Sequence, residues 1–288
     1  MFKNLMLAFL FISLSVSGFA QNSDSVTFLK TKWLKTRVAK QVKLFKHHFN
    51  NKNLFAANEN ISFIEVKNTG RKAVFAIDAE EKELITTSNF GLRDTAIAAI
   101  NGNFFDVKNG GSVDFVRLNG KIINENRLEK NNQRARHQQA AVLIEHGKIS
   151  IKKWDQKNDW ETKLTEQNIM LNGPLLFLNG IKEDLDTTDF NRLRHPRTCL
   201  GIKPNGSVIL LAIDGRNDNS AGASLPELTK IMSWLGCTSA INFDGGGSTT
   251  LWINGFADQG VINYPTDNKK WDHEGQRKVA NVILVKKK

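Results

Sequence analysis

The chain has 288 residues, 40 Lys and Arg against 29 Asp and Glu, a formal net charge of +11, and only two cysteines. No recognition helix, zinc finger or aromatic RNA-binding motif accompanies the basic balance, which points instead to anionic polymers or phosphorylated substrates and away from nucleic acid. The cysteines, Cys199 and Cys237, form no Cys/His cluster with zinc spacing; they can pair in an oxidising compartment or remain two buried thiols.

In chain order, a short basic start (Met1 to Asn4) leads into the apolar run Leu5 to Val16 and then Ser17-Gly18-Phe19-Ala20. This is the pattern of a secretory signal peptide over residues 1–20, cleaved after Ala20. The run is shorter than the roughly 20 residues that a membrane span needs. The expectation is an exported protein, periplasmic or secreted, without a membrane span. Trp33, Leu34, Val38, Val42, Leu44 and Phe45 recur at near-helical spacing among lysines, which predicts an amphipathic helix from about Asp24 to Asn50 in an N-terminal helical extension, residues 21–60. From Ile61 to the end, residues 61–288, the pattern is mainly β: Phe63 to Val66, Ala73 to Ile77, and Thr95 to Ile100. Hairpin signals stand at Asn119-Gly120, His146-Gly147, Asn205-Gly206 and Asn254-Gly255.

One later helix is well punctuated. Ser224 and Glu227 make a capping box, Pro226 suits the first turn, and Gly236 follows Trp234-Leu235. Before it the apolar run Val208 to Ile213 stops at Asp214-Gly215-Arg216; after it residues 239–243 stop at Asp244-Gly245-Gly246. Two strands joined through a helix form a crossover unit that brings both Asp-Gly turns to the same sheet edge. The fold expected is α+β, a mixed and mostly antiparallel β-sheet with packed helices.

The stretch Asn242-Phe243-Asp244-Gly245-Gly246-Gly247-Ser248-Thr249-Thr250 holds more glycine than a turn requires. Arg197 and Arg216 supply forked guanidinium groups and the Gly245–Gly247 backbone supplies N–H donors, a set that suits a phosphorylated anion. No Lys follows the glycines, which excludes a P-loop. Asp214 and Asp244 are the leading carboxylates for acid–base or nucleophilic work; the rival reading makes each a simple turn residue. Thr198, Ser248 and Thr249 are candidate hydroxyl donors or strand residues. Asn103 either meets a substrate or bonds its own turn, Phe104-Phe105 reads as core, and His195 as a loop-positioning residue.

Asn101-Gly102-Asn103-Phe104-Phe105, His195-Pro196-Arg197-Thr198, Asp214-Gly215-Arg216, Ala240 to Thr250 and Tyr264-Pro265-Thr266-Asp267 occur in an order that resembles the phosphodiester glycosidase family, from about Ile61 to Val285. The resemblance implies an exported hydrolase that removes a sugar from a sugar-1-phosphodiester, with a phosphorylated glycan or sugar phosphodiester as substrate. It also implies substrate-binding roles for Asp267 and Arg277, beside Asn103, Thr198, Arg216, Gly245, Gly246, Ser248 and Thr249, with Asp214, Asp244 and Arg197 at the chemistry. No cofactor is certain from the sequence, and a divalent cation stays open. Two alternatives remain open: a non-catalytic binder of phosphorylated glycans, and a phosphodiesterase acting at phosphorus with a divalent cation between the two aspartates.

Overall fold

The computed structural model describes residues 20–288, so the expected leader lies outside the described residues except for Ala20. Alternation along the central strands sets the architecture. In Val208–Ile213, side chains 208, 210 and 212 enter one core and 209, 211 and 213 enter another, as the two-residue period of a strand requires. Both faces are covered, which is why the segment reads as a continuous apolar run.

An eight-stranded sheet runs in the order Leu34–Ala39, Val42–Leu54, Ala57–Val66, Val208–Ile213, Arg197–Ile202, Ser239–Asn242, Leu175–Leu178, Ile181–Lys182. Its inner face meets a four-stranded sheet (Leu251–Ile253, Ala98–Asn101, Asn281–Lys287, Ala73–Ala79) and a five-stranded sheet that includes Ala140–Glu145 and Asn168–Asn172. Leu210, Ile241, Ile283, Val285, Val142 and Met170 share that interior. Each strand pair among the described residues is antiparallel. The outer face is covered by the helix Leu225–Trp234, which buries Leu225, Leu228, Ile231 and Met232. Its capping box forms as its sequence dictates: the Ser224 hydroxyl accepts from the Glu227 amide at 3.3 Å, and the Glu227 carboxylate accepts from the Ser224 amide at 2.9 Å.

The helix expected from Asp24 to Asn50 is a correction. Helix occupies Ala20–Leu29 only, and residues 34–54 form two strands of the large sheet. The apolar spacing there serves either period, and tertiary pairing decides it: Val42 and Leu44 enter the central core, while Phe45 stacks on Phe63 of the next strand at 4.8 Å. Phe28 fixes the short helix among Trp33, Phe49 and Trp234, with ring centroids 5.4 to 5.9 Å apart. Among the described residues no helix is long and apolar enough to cross a membrane. Cys199 and Cys237 are buried free thiols.

The strand Arg197–Ile202 lies between Val208–Ile213 and Ser239–Asn242 and is antiparallel to both, with Arg197 opposite Ile213 and Cys199 opposite Asn242. The two flanking strands therefore run parallel to each other. Their Asp-Gly ends emerge at one sheet edge, on either side of Arg197.

Candidate active site

Pro196 organises that edge. A Cβ at Gly215 would lie 2.8 Å from the Pro196 nitrogen, and one at Gly245 would lie 2.5 Å from the Pro196 carbonyl oxygen. Both Asp-Gly turns thus close on the same proline, and only glycine fits either contact. The other two glycines of the loop also yield space to this chain's own side chains. Gly246, at φ +61°, lies under the Arg216 guanidinium, 3.2 Å from a Cβ position; Gly247 faces the Asp267–Arg277 ion pair, with Asp267 Oδ1 at 2.6 Å and Arg277 Nη2 at 2.7 Å. The Gly246 amide donates to the Pro196 carbonyl at 2.9 Å, so that N–H is not offered outward.

The two aspartates differ sharply. Asp214 is 1 % exposed, and both its oxygens are engaged: Oδ2 accepts from Asn60 Nδ2 at 2.8 Å, and Oδ1 from Asn263 Nδ2 at 2.8 Å and the Tyr264 amide at 2.9 Å. Burial raises its pKa against those three donors. It ties three segments together, and three donors already occupy its two oxygens. Among the described residues no group of His, Cys, Asp and Glu could hold a metal ion. Asp244 keeps some solvent contact, and burial raises its carboxyl to about 6, against the Ser248 hydroxyl, the Arg277 charge and the Gly245 amide.

Two guanidinium groups sit beside it without a carboxylate. Arg197 is buried; its Nε donates to the Ala223 carbonyl at 2.8 Å and its Nη2 to the Phe190 and Leu193 carbonyls at 2.6 and 3.1 Å, over the Phe190 ring at 4.8 Å. Burial, followed by the charge of Arg216, lowers its pKa to about 10, against the pull of Glu227. Arg216 is exposed, at φ +59°, and its Nη2 meets His195 Nδ1 at 3.3 Å. Burial and the two arginines lower the pKa of His195. A neutral His195 accepting from Arg216 spaces the two cations, while the neighbouring arginines Arg194 and Arg277 are paired with Glu227 and Asp267.

Several expected contacts are spent inside the protein. Asn103 is buried, accepts from Ser112 and Asn281 and donates to the Leu171 carbonyl; Thr198 donates to Asn101 Oδ1 at 2.7 Å. Thr249 Oγ1 is buried with no hydrogen-bond partner. Phe105 joins the core near Phe90 and Trp252, whereas Phe104 turns outward, 4.7 Å from His137 and 5.9 Å from Phe190, in the wall of a cavity of about 630 Å³. His137 and Asp114, bonded at 2.8 Å, escaped sequence reasoning because no motif links positions 23 residues apart in the chain. Asn60 and Asn263 escaped it for the same reason.

A model of the phosphodiester glycosidase family matches residues 94–286, more than half of the chain. The chain belongs to the phosphodiester glycosidase family. Bovine N-acetylglucosamine-1-phosphodiester alpha-N-acetylglucosaminidase is 32 % identical over 110 residues, 36 % of this chain and 20 % of that protein. The mouse enzyme of the same name is 25 % identical over 211 residues, 67 % of this chain and 39 % of that protein. The chain thus spans well under half the length of these mammalian relatives. The zebrafish catalytic domain of that name, auto-inhibited by its pro-peptide, superposes with a TM-score of 0.64 at 16 % identity, covering 89 % of this chain and 88 % of that one. A hypothetical protein from Synechocystis gives the same score at 14 % identity, over 89 % of this chain and 64 % of that one. At those identities the likeness is one of fold. The glycine loop, both Asp-Gly turns and Arg277 lie within the matched segment.

Proposed function

We propose that this chain is an exported hydrolase that cleaves a sugar-1-phosphodiester to free sugar and a phosphomonoester. One observation carries the reading: Arg197 and Arg216, without a carboxylate partner, flank His195 at the sheet edge that also presents Asp244. Two cations without a carboxylate favour a phosphodiester anion, exposed Arg216 by forking onto its oxygens and buried Arg197 through its charge. Asp244 then acts on the sugar. A carboxylate with a pKa of about 6 is a better base for water than an ordinary one and is still ionised at neutral pH. Asp214 holds the geometry and does no chemistry. Ser248 lies beside Asp244 with its hydroxyl buried and without a hydrogen-bond partner, and the Asp267–Arg277 pair fixes the far side of the glycine loop. The names of the mammalian relatives support this substrate class.

Hydrolysis in isotopically labelled water tests the reaction: label in the sugar hydroxyl is expected, and label in the phosphate would mean attack at phosphorus. Asp244→Asn should lower kcat roughly a hundredfold or more with substrate affinity kept, since the lost group acts in the transition state. Arg216→Ala should weaken binding and turnover together. Unchanged turnover by Asp244→Asn would assign the base to another group, and a wild type that binds the diester without cleaving it would favour a non-catalytic glycan-phosphate binder. Export predicts a mature chain that starts at Gln21; N-terminal sequencing of the envelope fraction checks it, and retained Met1 would count against it.

A further inference from the structure

His137 stands where the proposed chemistry needs a second proton-transfer group. Its Nδ1 lies 2.8 Å from Oδ1 of Asp114, which is fully buried and also accepts from Gln138 Nε2 at 3.0 Å. Burial raises the pKa of Asp114, against the His137 and Gln138 donors; in its ionised form the carboxylate only accepts, so Nδ1 then carries a proton and the ring is held in one orientation. Among the described residues Nε2 has no hydrogen-bond partner, and the side chain, 28 % exposed, forms part of the wall of the 630 Å³ cavity with Phe104 and Phe190. Phe190 lies under the Arg197 guanidinium, which links this wall to the arginine pair. The backbone connects it to Asp244 as well: the Asp244 amide donates to the Gly102 carbonyl at 3.0 Å, two residues before Phe104, whose ring tilts against His137 at 4.7 Å.

We propose that His137, oriented by Asp114, is the catalytic residue that protonates the departing phosphate. This rests on the reading of the site given above. In the step, the oxygen of water bonds to C1 of the sugar and gives its proton to Asp244. The C1–O bond breaks with its electron pair on the bridging oxygen of the phosphomonoester, and that oxygen takes the Nε2 proton of His137. Transfer of the Asp244 proton to His137 through solvent restores both groups, and the sum is diester plus water to sugar plus phosphomonoester.

The electrostatics suit an acid. Burial alone would lower the pKa of His137, but the Asp114 hydrogen bond and charge, with Glu129 and Asp244 adding, outweigh it and raise the pKa. Arg134 and Arg136 share the cavity wall and oppose this, while Asp186 is the other acid there. Asp114 is a positioning residue.

The pH dependence of kcat/KM for a sugar-1-phosphodiester separates the roles. The wild type should give a bell: activity rises as Asp244 ionises near pH 6 and falls as His137 loses its proton above the ordinary histidine range. His137→Gln should lower kcat by roughly a hundredfold or more and lose the alkaline limb. Asp114→Asn should move that limb to lower pH, an effect that simple loosening would not produce. NMR titration of the His137 ring in the wild type covers the case in which a variant fails to fold; a pKa at or below the ordinary histidine value would overturn the proposal. So would undiminished turnover by folded His137→Gln. If the wild type cleaves no sugar-1-phosphodiester, the reading of the site itself falls and this role with it.

Discussion

Glu59 shows how single residues under this site set its response to pH. It is 1 % exposed beneath the 214–223 loop, where Oε2 accepts from the Gly222 amide at 3.0 Å and the Ser220 hydroxyl at 3.3 Å while Oε1 has no partner. Burial raises its pKa from 4.5 to about 8, against the Gly222 donor, the Arg194 charge and the Ser220 hydroxyl. The folded state therefore binds a proton that the unfolded chain gives up. Stability from this group is complete below pH 4.5 and is lost as pH rises toward about 8, by an amount on the order of a few kcal/mol. Glu59→Gln, uncharged throughout, should remove that slope. Thermal melts of the two proteins should diverge in favour of the variant from pH 5 to pH 8; parallel curves would mean that Glu59 ionises freely where it sits.

Secondary-structure elements were readable from sequence to the extent that their signals were local. Ser224, Pro226 and Glu227 fix a helix start within four positions, and the helix begins at Leu225. Val208–Ile213 was readable because the run and its Asp-Gly stop are contiguous, and Asn119-Gly120 and His146-Gly147 do turn hairpins at positive φ. Residues 34–54 were not, because their partners, Ala57–Val66, decide between two periods that the segment itself permits. The site divides in the same way. The ends of the two strands reach one edge as their spacing implied, but the glycines were read as room for a ligand, and Gly246 and Gly247 instead admit Arg216 and the Asp267–Arg277 pair. That use shows only when distant segments are brought together, as does the full engagement of Asp214.

At the scale of the whole molecule, the site depends on residues that lie before the segment shared with the family. Asn60 holds one oxygen of Asp214, and the strand that carries Asn60 pairs with Val208–Ile213 over six positions, Ile61 through Val66. The family match begins only at residue 94. A fragment starting there would leave the strand beside Arg197 with a bare row of amide and carbonyl groups flanked by Ile209, Leu211 and Ile213. Such an edge is a template for a neighbouring chain, and proteins cover or charge it to avoid sticking to themselves. Residues 94–288 expressed alone should therefore self-associate, eluting as large aggregates in size-exclusion chromatography where residues 21–288 remain dispersed. A well-behaved 94–288 fragment would refute this. In this chain the first three strands protect the protein from its own copies while they supply the asparagine that steadies the site.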